Sequence, residues 1–363
     1  MEKDLEARCS TSDFARIAQT CVNGMMDLTS RGMTETGEKQ LRLFSTWEIT
    51  KYLIPVAQAH FRRVLKTNPT LPQGKSETDG GAKWFRELQS SQLLPILIGC
   101  KPQLFRAQYQ AYQEMQRQLS VVMIDQYIRL TPTASKAKTH VLNPAVHSKR
   151  KRFYHLSHLG AQQHLVDPAV FQLLTDHHFE YVRLGAARQN IQELEPLIRD
   201  ADLVGLDISA VKYFEAPAQE GYFPSGFDLA EATQLCRYAG ISDKLTSFGI
   251  YGVDPTADEN DQTVTAAAYA QLIWYFIDGF KDRKGDFPLT NKGLIEYVVD
   301  LQQFDRITFW KSPRSGRWWI QAPAGKKNGE ERHRLIPCSP KDYQDACNQQ
   351  LPDRLIQAFR RYT

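Results

Sequence analysis

Very little in this chain points toward a membrane, an oxidising compartment or a polyanion. No stretch approaches the roughly 18 consecutive apolar residues of a membrane span, so no membrane association is expected. The six cysteines (Cys9, Cys21, Cys100, Cys236, Cys338 and Cys347) are scattered through 363 residues with no C-x-x-C pair. That excludes a dense disulfide framework and predicts reduced thiols. Charge of one sign is also missing: 45 Lys+Arg stand against 41 Asp+Glu, a net charge of +4, so any nucleic-acid contact must rest on local clusters. There is no G-x-x-x-x-G-K-[ST] loop for a nucleotide, no G-x-S-x-G elbow and no Cys–His pair with a local signature. The start, "MEKDLEARCSTSDF", has neither the basic end nor the apolar middle of a signal peptide, and a cytoplasmic location is expected.

With 42% hydrophobic and 24% charged residues, the chain reads as a globular protein long enough for a substantial core. A seam lies at residues 69–90, where "NPTLPQGKSETDGGAK" gathers turn-forming residues. Ahead of it the spacing predicts helices. "STWE" (Ser45 to Glu48) has the form of a capping box, and "VAQAHFRRVLKT" places Val56, Phe61, Val64 and Leu65 on one face and basic residues on the other. Two short helices joined by a tight turn, the second one basic, match a helix-turn-helix, and the Gly-Gly stretch that follows matches a wing. The alternative is an amphipathic helical hairpin with a solvated basic face. Residues 11–86 resemble the N-terminal DNA-binding region of plasmid-partition ATPases. That resemblance makes Gln58, His60, Arg62, Arg63, Lys66, Lys75 and Lys83 the DNA-binding candidates. The basic run "SKRKR" (Ser148 to Arg152) could extend a phosphate-facing surface or be a solvated loop.

After the seam the texture changes. "LLPILIGC", "LSVVMIDQYI", "ADLVGLDISA" and "LTSFGIYGVD" are short apolar runs bounded by polar turns, and helical patterns separate them. This alternation predicts an α/β domain with a mostly parallel sheet whose chemistry gathers at the carboxyl ends of the strands. Asp125, Asp207 and Asp254 fall toward those ends. Asp202 sits before its apolar run, where a turn would leave it wet. Asp207 sits inside the run, where a buried carboxylate needs a metal, a cation or several donors. Asp254, before a proline, reads as a turn starter. "ITFWKSPRSGRWWIQAP" predicts an aromatic-rich hairpin in which Trp310, Trp318 and Trp319 cover apolar surface, and two helices follow it. His155, His158 and His164 match no zinc spacing and are expected to be core or surface residues.

From about residue 92 to the end, the order of motifs resembles the arginase/agmatinase/formimidoylglutamase (ureohydrolase) superfamily, and within it an arginase-like branch common in Bacteroidetes. The stretches that carry the resemblance include "PILIGCKPQLFRAQYQAY", "VVMIDQYIRL", "YVRLGAARQNIQELEPLIRDADLVGLDISAV", "LTSFGIYGVDP" and "IPCSPKDYQDACNQQLPD". It implies an arginase-like three-layer α/β domain over residues 89–363, preceded by the helical, winged-helix-like module of residues 1–88. It also implies two Mn2+ ions held by a histidine after a glycine turn, a D-x-H-x-D strand end and a D-x-D strand end. The first ligand would fall at or near Pro102. In the second element Asp125 remains, with Tyr127 at the histidine position and Arg129 at the second aspartate. In the third Asp207 remains and Ser209 is substituted. The substrate-binding glutamate would fall at Gly252.

Two of six ligands therefore survive, and Arg129 brings a fixed positive charge to where a cation would sit. The expectation is an ion-pair cluster of Asp125, Asp207 and Arg129, with Tyr127 and Ser209 donating, in place of the metals. No cofactor is expected on this reading, whereas a working amidinohydrolase would need Mn2+ in a rearranged site. The role that follows is binding or regulation, with a protein partner, a second copy or DNA as the candidate partners. The sheet is expected either to be smaller than in relatives or to have its edge covered by the first 90 residues.

Overall fold

The computed structural model of the protein describes residues 41–45, 65–68, 94–100, 105–114, 119–134, 140–147, 153–254, 256–288, 290–302, 306–322 and 335–362. Eight strands form its main sheet: β1 (Leu41–Ser45), β2 (Leu65–Asn68), β3 (Leu94–Cys100), β4 (Leu119–Ile124), β5 (Phe153–Ala161), β6 (Glu180–Arg183), β7 (Leu203–Asp207) and β8 (Ser247–Tyr251). Their order is β2-β1-β3-β8-β7-β4-β5-β6, and every neighbouring pair is parallel. All eight carboxyl ends thus lie on one rim.

The sequence produces this sheet because its strands are apolar on both sides. In β4, "LSVVMI", all six residues are buried. Leu119, Val121 and Met123 join the core on one face, and Val122 and Ile124 join the core on the other. The first face is covered by α1 (Phe105–Glu114), α2 (Asn143–His147) and α3 (Pro168–Asp176). The second is covered by α4 (Leu184–Gln189), α5 (Glu195–Arg199), α6 (Leu229–Ile241) and α7 (Glu259–Lys281). Helix starts follow their capping chemistry: Asp167 accepts from Ala169 N ahead of α3, and Asp228 and Glu231 form a capping box on α6. At the crossing of α6 and α7, a Cβ on Gly240 would stand 2.1 Å from the carbonyl oxygen of Phe276, so only glycine permits the approach.

A second, antiparallel sheet in the order β12-β11-β10-β9 comprises β9 (Ile295–Val299), β10 (Ile307–Lys311), β11 (Trp318–Gln321) and β12 (Leu335–Cys338). β10 and β11 are the hairpin expected around "RSG", and Trp310, Trp318 and Trp319 are buried. Helices α8 (Pro340–Cys347) and α9 (Asp353–Tyr362) close the described chain. Arg199 of α5, only 4% exposed, ties this sheet to the main body. Its guanidinium donates to the carbonyls of Trp318 and Cys338, pairs with Glu195 at 2.9 Å and stacks 4.7 Å from the Trp319 ring.

Two expectations need correction. Leu65–Thr67, read from its spacing as the end of a helix, lies in β2, and Leu41–Ser45, in the region read as predominantly helical, forms β1. Here tertiary pairing overrides helical periodicity, because each segment is recruited into a parallel ladder that ends on β3. Lys66 thus belongs to a strand of the main sheet rather than to a recognition helix. The edge beside β3 is covered by β1, the second of the two alternatives. Gln58, His60, Arg62, Arg63, Lys75 and Lys83, with the remainder of the expected helix-turn-helix and wing, lie outside the described residues, as does "SKRKR" from Ser148 to Arg152. Asp202, expected to be wet, is 2% exposed. It accepts from Ser120 N at 3.0 Å, and its carbonyl accepts from Thr246 N and Ser247 N, so it knits three strands together at their amino ends.

Replacing Arg199 with leucine should leave the carbonyls of Trp318 and Cys338 without their donor and the Glu195 carboxylate with only the more distant Arg317, 3.7 Å away. The expected loss is about 3 to 5 kcal/mol of unfolding free energy, to be measured by denaturant titration. An unchanged midpoint would show that the clamp contributes nothing.

Candidate functional site at the strand ends

β4 and β7 are neighbours in the sheet, yet the chain leaves them in opposite directions, toward β5 and β6 on one side and toward β8 on the other. Such a reversal opens a crevice at the carboxyl ends of the strands. Asp125 follows the last residue of β4 and Asp207 is the last residue of β7. The two are 0% and 1% exposed.

Arg129, four residues after Asp125, turns back between them. Its Nε donates to Asp125 Oδ2 at 2.7 Å and its NH2 donates to Asp207 Oδ2 at 2.7 Å. The outer oxygens are also engaged: Asp125 Oδ1 accepts from Tyr127 N at 3.0 Å and from Ser209 Oγ at 3.2 Å, and Asp207 Oδ1 accepts from Ser209 N at 3.0 Å. The structure therefore brings Asp125, Asp207, Arg129 and Ser209 together. Tyr127 contributes its amide, whereas its ring lies edge-on to Phe223 and 5.6 Å from the Arg129 guanidinium carbon.

The electrostatics follow from the count of charges. One guanidinium can neutralise one carboxylate, and the second ionisation must occur where both carboxyls are buried. Burial pushes the Asp125 carboxyl up to about 7; Arg129 opposes the rise and the nearby Asp207 carboxylate adds to it. For Arg129, burial alone would favour the neutral form, but Asp125 and Asp207 outweigh it and hold the guanidinium above its ordinary value. Arg129 is therefore always charged.

Two residues outside the expected cluster complete it. His158 on β5 is fully buried; its Nε2 donates to the Tyr127 carbonyl at 2.9 Å and so fixes the turn that carries Arg129. Burial lowers its pKa to about 4, which keeps the imidazole neutral. Gly252, just past β8, has φ +86°, and a Cβ there would stand 2.3 Å from Asp207 Oδ1. The position where the resemblance would put a substrate-binding glutamate thus has no room for a side chain. Sequence reading placed Gly252 by its motif, but its contact with Asp207 crosses two strands and left no local signal. His158 could have been singled out only by the apolar residues around it in β5.

The donor set does not suit a dimetal centre. Both Oδ2 atoms already accept from Arg129, and among the described residues no three His, Cys, Asp or Glu side chains converge to hold an ion. Pro102 lies outside the described residues. Two carboxylates with a fixed cation between them cannot offset the repulsion of two divalent ions. Asp254 starts a turn, accepting from Thr256 N and Oγ1. His155 lies beside Ser157 and Glu180 on the first half of β5, away from the rim, and His164 lies in a short 3-10 turn after that strand.

Arg129→Met should cost about 3 to 5 kcal/mol, because it strands two buried acids; thermal melting checks this, and an unshifted midpoint would refute the cluster. The pH dependence has a definite sign. With its folded pKa raised from 3.8 to about 7, Asp125 stabilises the fold below about pH 4, and that contribution is lost as the pH rises to about 7. Asp125→Asn should flatten this part of the stability profile.

No family model matches the sequence, and no curated protein does. Solved structures do match. The Mn2+-containing formiminoglutamase of Trypanosoma cruzi aligns with a TM-score of 0.57 at 13% identity, covering 71% of this chain and 98% of that one. The formimidoylglutamase of Bacillus subtilis gives 0.55 at 15% identity, with coverages of 69% and 90%. The arginase of Bacillus subtilis gives 0.52 at 12% identity, with coverages of 66% and 98%. The likeness is one of fold and does not distinguish a branch: this chain has the arginase-like α/β architecture of the ureohydrolases.

Proposed function

We propose that this protein is a ureohydrolase-fold chain whose dimetal centre has been replaced by an internal ion pair, and that it acts by binding rather than by hydrolysis. The observation that carries the reading is Arg129, which stands 2.7 Å from both surviving carboxylates. In the named neighbours a formiminoglutamase is seen with Mn2+; here a guanidinium does the neutralising that metal ions would do. It does so without activating water, since it has no open coordination position and holds its protons throughout the accessible pH range.

The remaining groups support the same conclusion. A hydrolase acting on a cationic amidine needs a general base and an acid to grip the cationic end. Asp125 and Asp207 are consumed by Arg129, and Gly252 presents only backbone where a carboxylate would be needed. His158, neutral and buried, spends its Nε2 proton on the Tyr127 carbonyl. What is left is a rigid rim surrounded by the turns that follow β4, β7 and β8.

Metal analysis of the purified protein, combined with urea- and formamide-release assays on arginine, agmatine and formimidoylglutamate, should find no stoichiometric Mn2+ and no turnover. Chelator treatment should leave the melting temperature unchanged. Two equivalents of tightly held Mn2+ accompanied by hydrolysis would reverse the reading.

A further inference from the structure

The turn after β7 carries an unusual surface. Among the described residues most large apolar side chains are buried, but Phe214 is 79% exposed and Tyr222 is 84% exposed. Tyr213 joins them, its ring centroid 5.8 Å from Phe214 and 5.3 Å from Tyr222. One residue further, Phe223 rests on Tyr127, so the group sits on the rim directly beside the Arg129 cluster. Contiguous exposed rings of this kind mark interaction sites, where Tyr and Phe are over-represented.

The turn is held rather than loose. Ala218 N donates to Thr265 Oγ1 of α7 at 2.7 Å, Asp254 N donates to the Ala218 carbonyl at 2.9 Å, and Gln219 donates to the carbonyls of Val211 and Ala216. Rings fixed on such a base lose little freedom on binding a partner.

The charge around the rings is negative. Glu220 lies two residues before Tyr222 and acts on both Tyr127 and Arg129. Asp258 and Asp261, at the start of α7, act on the Tyr213 phenol, and the turn packs against that helix. The neighbouring cations are already paired, Lys212 with Asp228, and Arg188 with Asp228 and Glu231. Aromatic faces bordered by carboxylates attract cations, and guanidinium above all, because it stacks flat on a ring while its N–H groups reach an acid.

We propose that Tyr213, Phe214 and Tyr222, with Glu220, Asp258 and Asp261 at their border, form a docking surface for a basic, arginine-bearing segment of a partner protein. The proposal rests on the binding role given above and specifies its ligand. Partner side chains would stack on Phe214 and Tyr222, and their charge would be met by the three acids.

Fluorescence anisotropy of the full-length protein with a labelled arginine-rich peptide tests this, using lysine-rich and glutamate-rich peptides as comparisons. Saturable binding is expected, strongest for arginine, absent for glutamate and weaker as salt rises. The double substitution Phe214→Ser, Tyr222→Ser should raise Kd at least about tenfold, and because both side chains are exposed, its melting temperature should match the parent's. The triple substitution Glu220→Gln, Asp258→Asn, Asp261→Asn keeps the helix cap but should weaken binding and remove most of its salt dependence. Absence of arginine-peptide binding, equal binding of the glutamate peptide, or an unchanged Kd in the double variant would each overturn the proposal. Metal content and turnover of the same preparation keep the two questions apart: an inactive, metal-free protein that ignores the peptide defeats only this surface, whereas Mn2+ with hydrolysis defeats the binding role beneath it.

Discussion

Two carboxylates buried side by side at the ends of adjacent parallel strands repel each other, and ionising both is costly unless something positive stands between them. In this protein that something is Arg129, anchored by its Nε and NH2 groups to one oxygen of each acid. Much of the local structure can be understood as support for this bridge: the Ser209 amide and hydroxyl cover the outer oxygens, the His158 imidazole fixes the Tyr127 carbonyl, and Gly252 stays clear of Asp207.

The same constraint separates fold from chemistry. The fold matches solved arginase and formiminoglutamase structures at only 12 to 15% identity, because it depends on apolar alternation and strand parallelism, which many sequences satisfy. A metal centre depends on a few particular side chains, which can differ between chains without disturbing the layers. In this chain one arginine bridges the two acids at the rim.

The sequence made the main sheet legible wherever a strand is an uninterrupted apolar run, as in β3, β4, β7 and β8, and wherever a helix begins with a cap, as at Asp167 and Asp228. It misled where a short segment has helical spacing but is recruited by a neighbouring strand, as at Leu41–Ser45 and Leu65–Asn68. Asp202 was misplaced for a similar reason: its polarity suggested a wet turn, yet the Ser120 amide, 82 residues away in sequence, satisfies it in the interior. For the site, motif positions brought Asp125, Arg129, Asp207 and Ser209 into view. The contributions of His158 and Gly252 depend on distances between strands, which a linear reading does not contain.

The geometry at Gly252 bears on how this lineage can change. With φ at +86° and the Asp207 carboxylate where a side chain would begin, a mutation that placed an acid there would meet both backbone strain and a collision before it gained any ligand. Building a metal centre here would require Arg129 to leave, Asp207 to swing away and this turn to refold, each step unfavourable without the others. The present arrangement is interlocked: single substitutions can alter the exposed side chains of the rim, while no one of them frees both buried acids for another role.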